Sequence, residues 1–188
     1  MYSKWLVNKN NILKAKIYFS STFFSNLVII VLLIFPITLV IYYLDQLLNI
    51  PIELLIDVKI LFSLVFISML INFLATVFGV ATFATNRMDL KAIGDIFHGF
   101  FRIVVFIFLF YFYEASIVFI GIVAVILSFY NLAVQMFFTK KLMPEFKIYK
   151  EHFDLKAIKE LTSSGGWNVI NALGMSLLLG MSLFLTNY

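Results

Sequence analysis

Apolar residues fill five blocks of this chain, near 20–44, 60–84, 95–112, 116–138 and 167–187, and polar residues collect in the breaks between them. An α-helix rising about 1.5 Å per residue needs roughly 20 apolar residues to cross a hydrocarbon core about 30 Å thick. The pattern therefore predicts an all-α, polytopic membrane helical bundle with about five transmembrane helices. Runs such as Leu27 to Leu44 are apolar on every side, whereas barrel strands would alternate every second residue. The first block is too long for the apolar region of a secretory signal and lacks a small-residue cleavage site, so it reads as a spanning helix.

The breaks sort by charge. Lys4, Lys9, Lys14 and Lys16 precede the first block with no acid among them. The next break, Asp45 to Lys59, carries Asp45, Glu53 and Asp57 against one lysine, and Pro51 interrupts any helix there. Asn86 to Lys91 is again basic. Phe97 to Phe138 would measure about 60 Å as one straight helix, so the chain must fold back near Tyr113-Glu114-Ala115-Ser116. Thr139 to Gly166 holds six lysines, Lys140, Lys141, Lys147, Lys150, Lys156 and Lys159, against four acids. With basic breaks inside, the N-terminus is expected in the cytoplasm and the C-terminus outside.

Within the last break, Asp154 is placed to cap a short amphipathic cytoplasmic helix whose Leu155, Ile158 and Leu161 share a face. Gly165-Gly166 would end it, and Trp167 suits the headgroup boundary. Pro36 is expected to kink the first helix.

Composition agrees with this reading: 188 residues, 63% hydrophobic, with a mean hydropathy of +1.03. The net charge of +4 is concentrated in the membrane-adjacent breaks, which points to topology and anionic lipid rather than nucleic acid. Cysteine is absent, so no disulfide or thiolate metal site can form. The two histidines, His98 and His152, are far apart in sequence, and no metal site is expected. Nucleophile and base arrangements, Gly-rich phosphate loops and acidic clusters are not evident, so no enzyme chemistry and no cofactor are expected.

Arg87, Lys91, Asp95, His98 and Arg102 recur at four, four, three and four residues, which places them on one helical face. A cationic stripe of Arg87, Lys91, His98 and Arg102 suits an anionic headgroup, since guanidinium groups bind phosphate in two-pronged fashion. The competing reading is that these side chains merely snorkel to the interface. Asn72 with Thr76, Asn131 with Gln135, and Asn168 with Asn171 are polar pairs at helical spacing. Such amides either bond helix to helix or line a wet cavity for sugar hydroxyls. Ala75 with Gly79 permits close helix approach, and Gly174 and Gly180 thin the last block.

The segments Asn86-Arg87-Met88-Asp89-Leu90-Lys91-Ala92-Ile93, Lys140-Lys141-Leu142-Met143-Pro144, Ile158-Lys159-Glu160-Leu161 and Ser163-Ser164-Gly165-Gly166-Trp167-Asn168-Val169-Ile170-Asn171 resemble bacterial polysaccharide flippases of the Wzx type. These belong to the multidrug/oligosaccharidyl-lipid/polysaccharide exporter superfamily. The resemblance implies a two-lobed protein of about twelve to fourteen helices, with these five similar to the third through seventh. Residues 1–138 would belong to the N-terminal lobe, 139–166 would be the cytoplasmic inter-lobe linker, and 167–188 would open the second lobe. On that comparison the chain is a fragment. Members often carry an acid in the seventh helix where this chain reads Met181-Ser182-Leu183, which weakens an ion-coupling role there.

The resemblance implies a transporter of the bacterial cytoplasmic membrane that flips undecaprenyl-diphosphate-linked oligosaccharide for O-antigen, capsule or exopolysaccharide. Expected partners are membrane lipids, the lipid-linked oligosaccharide, and a polysaccharide polymerase complex or the remainder of the transporter. A multidrug or metabolite exporter of the same fold, and a non-transporting module of an assembly complex, are the alternatives.

Overall fold

The structure, a computed structural model, describes residues 9–48 and 50–163. The regular structure among the described residues is all helical: α1 (Lys9–Tyr42), α2 (Leu44–Leu47), α3 (Leu55–Ala84), α4 (Met88–Phe112), α5 (Val118–Leu142) and α6 (155–163), with single 3-10 turns at Ile52–Leu54 and Lys150–His152. Four spans, Ile12–Tyr42, Ile52–Ala84, Met88–Phe112 and Val118–Leu142, are long and apolar enough to cross a membrane. They bear out the first four blocks. The expected fifth helix at 167–187 lies outside the described residues.

Two helices start well before their apolar blocks, α1 at Lys9 rather than near 20 and α4 at Met88 rather than near 95. Hydropathy marks contact with hydrocarbon, while a helix continues wherever backbone bonding and propensity allow, and Lys and Ala are good helix formers. The helix α1 also runs on through Pro36. The missing N–H there frees the Leu32 carbonyl, but the ring sits on the exposed side of the helix.

The reversals are built locally. At the end of α3 the Arg87 N–H reaches the Thr82 carbonyl at 2.8 Å and the Asn86 N–H reaches Phe83 at 3.0 Å. Asn86, at φ 54°, takes the left-handed position between them. This is a Schellman closure with asparagine where glycine is usual. Between α4 and α5 the Ser116 hydroxyl accepts the Val118 N–H at 3.2 Å, which starts the next helix at the fold-back point read from the sequence.

The central pair is α3 and α5, with α1 and α4 as lighter flanks. Gly121 makes the pair close: a Cβ built there would stand 2.8 Å from Leu64 Cβ and 3.2 Å from the Leu61 carbonyl oxygen. Along the seam, Asn72 donates to Ser128 at 2.8 Å, Asn131 donates to Asn72 at 2.8 Å, and Thr139 lies 2.7 Å from the Phe78 carbonyl. Helix α1 joins through Asn26, which donates to the Phe73 carbonyl at 3.1 Å, and through Phe19 and Phe23, both edge-on to Phe78. Helix α4 contains no buried residue.

The alternation of directions gathers the start of α1, the α3–α4 turn, the end of α5 and α6 at one end of the bundle. That end carries the lysine excess; Asp45, Glu53, Asp57 and Glu114 lie at the other. The segment from 143 to 163 is folded back on α1. Lys16 pairs with Glu145 at 3.5 Å, Tyr18 donates to Glu160, and the buried Ser21 hydroxyl accepts the Asp154 N–H at 2.9 Å. Asp154 caps α6 as its position predicts, accepting the Lys156 N–H at 2.8 Å. The buried residue of α6 is Ala157, while Leu155 and Leu161 of the predicted apolar face are exposed; in a bilayer that face is free to meet lipid.

Candidate functional site

The sequence-predicted polar residues come together chiefly at the contact between α4 and α5. Lys91, Asp95 and His98 of α4 and Asn131 and Gln135 of α5 line one cleft, closed by Gly94, Tyr130, Val134 and Phe138. Gly94 opens the approach, with Val134 and Phe138 each 3.5 Å from where its Cβ would be. Tyr130 anchors the far side, its ring 6.0 Å from that of His98 and 5.4 Å from that of Phe101. The cleft volume is about 10 Å³, on the order of one water molecule.

The charges in and above the cleft are only partly spent. Lys91 donates to Asp95 at 2.8 Å, one turn apart on α4, and the two side chains are 37% and 63% exposed. An ion pair so exposed is worth only about 0–1 kcal/mol. Arg102 continues the same face past His98. It is exposed, and its guanidinium carbon sits 5.8 Å from the Phe106 ring centre. Counting from Met88, Arg102 lies about 21 Å along α4 and about 15 Å from its end at about 1.5 Å per residue, and it is the sole charge between Asp95 and Glu114. Charges at such depth are costly and cluster at functional sites.

Arg87 does not belong to this face. Equal spacing would place it one turn before Lys91, but the chain at Arg87 is not helical, because α4 begins only at Met88. Its guanidinium instead grips Asp89, with Nε 2.9 Å from Oδ1 and Nη2 2.8 Å from Oδ2. That hydrogen bond holds Arg87 above its ordinary pKa.

The amides divide. Asn72 is bonded at both ends: it donates to the Ser68 carbonyl at 3.0 Å and to Ser128, and its oxygen accepts from Asn131. Ser128 in turn donates to the Ala124 carbonyl at 2.7 Å, so the chain of bonds closes and Asn72 serves as helix-to-helix glue. Gln135 differs. Its Oε1 is buried with no donor among the described residues, and it faces Gly79, whose Cβ position would be 3.7 Å away. A buried acceptor left without a partner costs about 1–3 kcal/mol. Asn168 and Asn171 lie outside the described residues.

Sequence reading missed the full seam. Ser128, Asn131, Gln135 and Thr139 on α5, and Ser68, Asn72, Ala75, Gly79 and Thr82 on α3, repeat at three and four residues. That period was the available signal: it draws a small and polar stripe down each facing helix. Ser20 and Ser21, both fully buried, carried no such signal because their partners come from the distant 149–154 segment.

One curated relative, described as uncharacterized membrane protein EpsK of Bacillus subtilis (strain 168), is 26% identical over 174 residues. The match covers 93% of this chain and 34% of that protein, so the chain spans about a third of the relative's length. No family model and no solved structure matches the chain. The chain is a multi-pass membrane protein distantly homologous to that Bacillus protein.

Proposed function

We propose that this chain forms part of a transporter that flips undecaprenyl-diphosphate-linked oligosaccharide from the inner to the outer leaflet of the bacterial cytoplasmic membrane, for surface polysaccharide. In this reading the basic end of the bundle faces the cytoplasm, residues 1–138 and 167–188 belong to two lobes, and 139–166 links them. The likeness to Wzx-type flippases supports the substrate class. The observation that carries the site is the single face of α4 on which Lys91, His98 and Arg102 align, with the α5 amides Asn131 and Gln135 beside its lower half.

Cations over hydrocarbon and amides at the same cleft suit a ligand that is a diphosphate at one end and a glycan beyond it. Arg102 would meet phosphate charge where water is scarce, and there a hydrogen-bonded ion contact is stronger than at the surface. Lys91 would exchange Asp95 for the ligand, whose glycan would lie beside the α5 end of the cleft.

The test is surface polysaccharide in source cells carrying single substitutions in the complete gene. Arg102→Ala should abolish or strongly reduce it at unchanged membrane level, and Arg102→Lys should retain part. Arg87→Ala, off the face and already paired, should leave it near normal. Normal polysaccharide with Arg102→Ala refutes the assignment.

A further inference from the structure

We infer a second lipid site, separate from the α4 cleft, at the end of α5: one anionic phospholipid seats its phosphate between Lys140 and Lys147 and an acyl chain on Phe19, Phe78, Met136 and Ile148. These residues line a single hollow of about 450 Å³ between α1, the end of α5 and the segment that follows it. That size lies within the roughly 300–1,000 Å³ of small-molecule sites. Its floor is aromatic and aliphatic, and its only charged lining residues are the two lysines.

Charge complementarity selects the occupant. The nearby acid of the segment, Glu145, is turned to Lys16 at 3.5 Å. Neither Lys140 nor Lys147 has a carboxylate partner among the described residues. Both exposed lysines line this one hollow without a carboxylate to offset them, and a phosphate seated there would supply the missing counter-charge. A free anion would satisfy the lysines but leave the hydrophobic floor wet, whereas a lipid satisfies both. Phe78 lies about 9 Å, at about 1.5 Å per residue, before the end of α3, inside the apolar span Ile52–Ala84.

The hollow exists because the segment after α5 is pinned. Phe146 stacks edge-on to Phe19 at 5.9 Å, and Ser20 and Ser21 accept the backbone N–H groups of Tyr149 and Asp154. A lipid in the hollow would therefore bridge α1 and the end of α5 to the segment that follows, which the proposed function reads as the link between lobes.

The experiment is native mass spectrometry of the full chain released from micelles, titrated with phosphatidylglycerol or phosphatidylcholine. One phosphatidylglycerol should be retained in preference to phosphatidylcholine. Lys140→Gln with Lys147→Gln should weaken it about twenty-five-fold, from about fivefold per lysine near a membrane surface. Lys156→Gln with Lys159→Gln on α6 should change it little. Unchanged affinity in the first pair, equal loss in both pairs, or displacement of the lipid by inorganic phosphate alone would each overturn the site. If the first pair does not fold, Met136→Trp fills the floor and keeps both charges; retained affinity there overturns it equally.

Discussion

Replacing Gly121 by alanine should destabilise the bundle even though alanine is the better helix former. In a helix interior the exchange alone favours folding by about 1 kcal/mol. At Gly121 the added carbon would stand 2.8 Å from Leu64 Cβ, 3.1 Å from Leu64 Cδ1 and 3.2 Å from the Leu61 carbonyl oxygen. Two of these three atoms are on or next to the backbone of α3, so relief requires α3 and α5 to separate rather than a side chain to swing away. Overpacking of this kind costs about 1–3 kcal/mol, and the net loss is on the order of 1 kcal/mol. Gly99 supplies the control, because a Cβ there meets nothing within 4 Å; Gly99→Ala should be neutral or stabilising by up to about 1 kcal/mol. Reversible unfolding of each variant in mixed micelles with increasing SDS, followed by far-ultraviolet circular dichroism, compares the two. If Gly121→Ala proves as stable as Gly99→Ala, the close approach of α3 and α5 at this position is wrong.

The same assay reads three further changes. Asn72→Ala and Asn131→Ala should each destabilise, with a coupling energy between them of about 0.6 kcal/mol in a double-mutant cycle, as for other hydrogen bonds within membranes; additive losses would mean the two amides do not meet. Gln135→Leu should be neutral or stabilising, since it removes a buried oxygen that lacks a donor, while reducing surface polysaccharide in cells; a loss of stability would show that the amide is satisfied after all. Lys59 donates to Asp45 at 3.1 Å and holds that carboxyl below its ordinary pKa. A carboxyl depressed in the folded state contributes stability above its unfolded pKa of about 3.9, lost as pH falls through the lower folded value. Unfolding measured from pH 7 down to about 3 should therefore show a smaller acid-side decline in Asp45→Asn than in the parent chain, and parallel curves would remove the pair from the account.

Much of the candidate site was legible because a helix converts spacing into direction. Lys91, His98 and Arg102 share a face in the structure as their separations require. Arg87 departs because spacing presumes the helix has begun, and the Schellman closure at Asn86 postpones that start. Gln135 and Asn131 were visible as a polar pair, yet their separate fates, one orphaned and one bonded to Asn72, depend on which residue of α3 lies opposite.

Sequence alone determined that the chain is a bundle of membrane-length helices, where it reverses, and how its charges divide between the two ends. These follow from the cost of placing polar groups in hydrocarbon, which each segment meets by itself whatever its neighbours are. Tertiary structure alone decided that α3 and α5 form the centre, that α4 is held along one edge, that the 143–163 segment lies against α1, and that Lys140 and Lys147 share a hollow. Lipid is as apolar as the helix faces it touches, so hydropathy cannot select partners among helices. Selection falls to close steric fit, as at Gly121, and to single hydrogen bonds, as at Asn72 and Ser21, and both depend on atoms that are far apart along the chain.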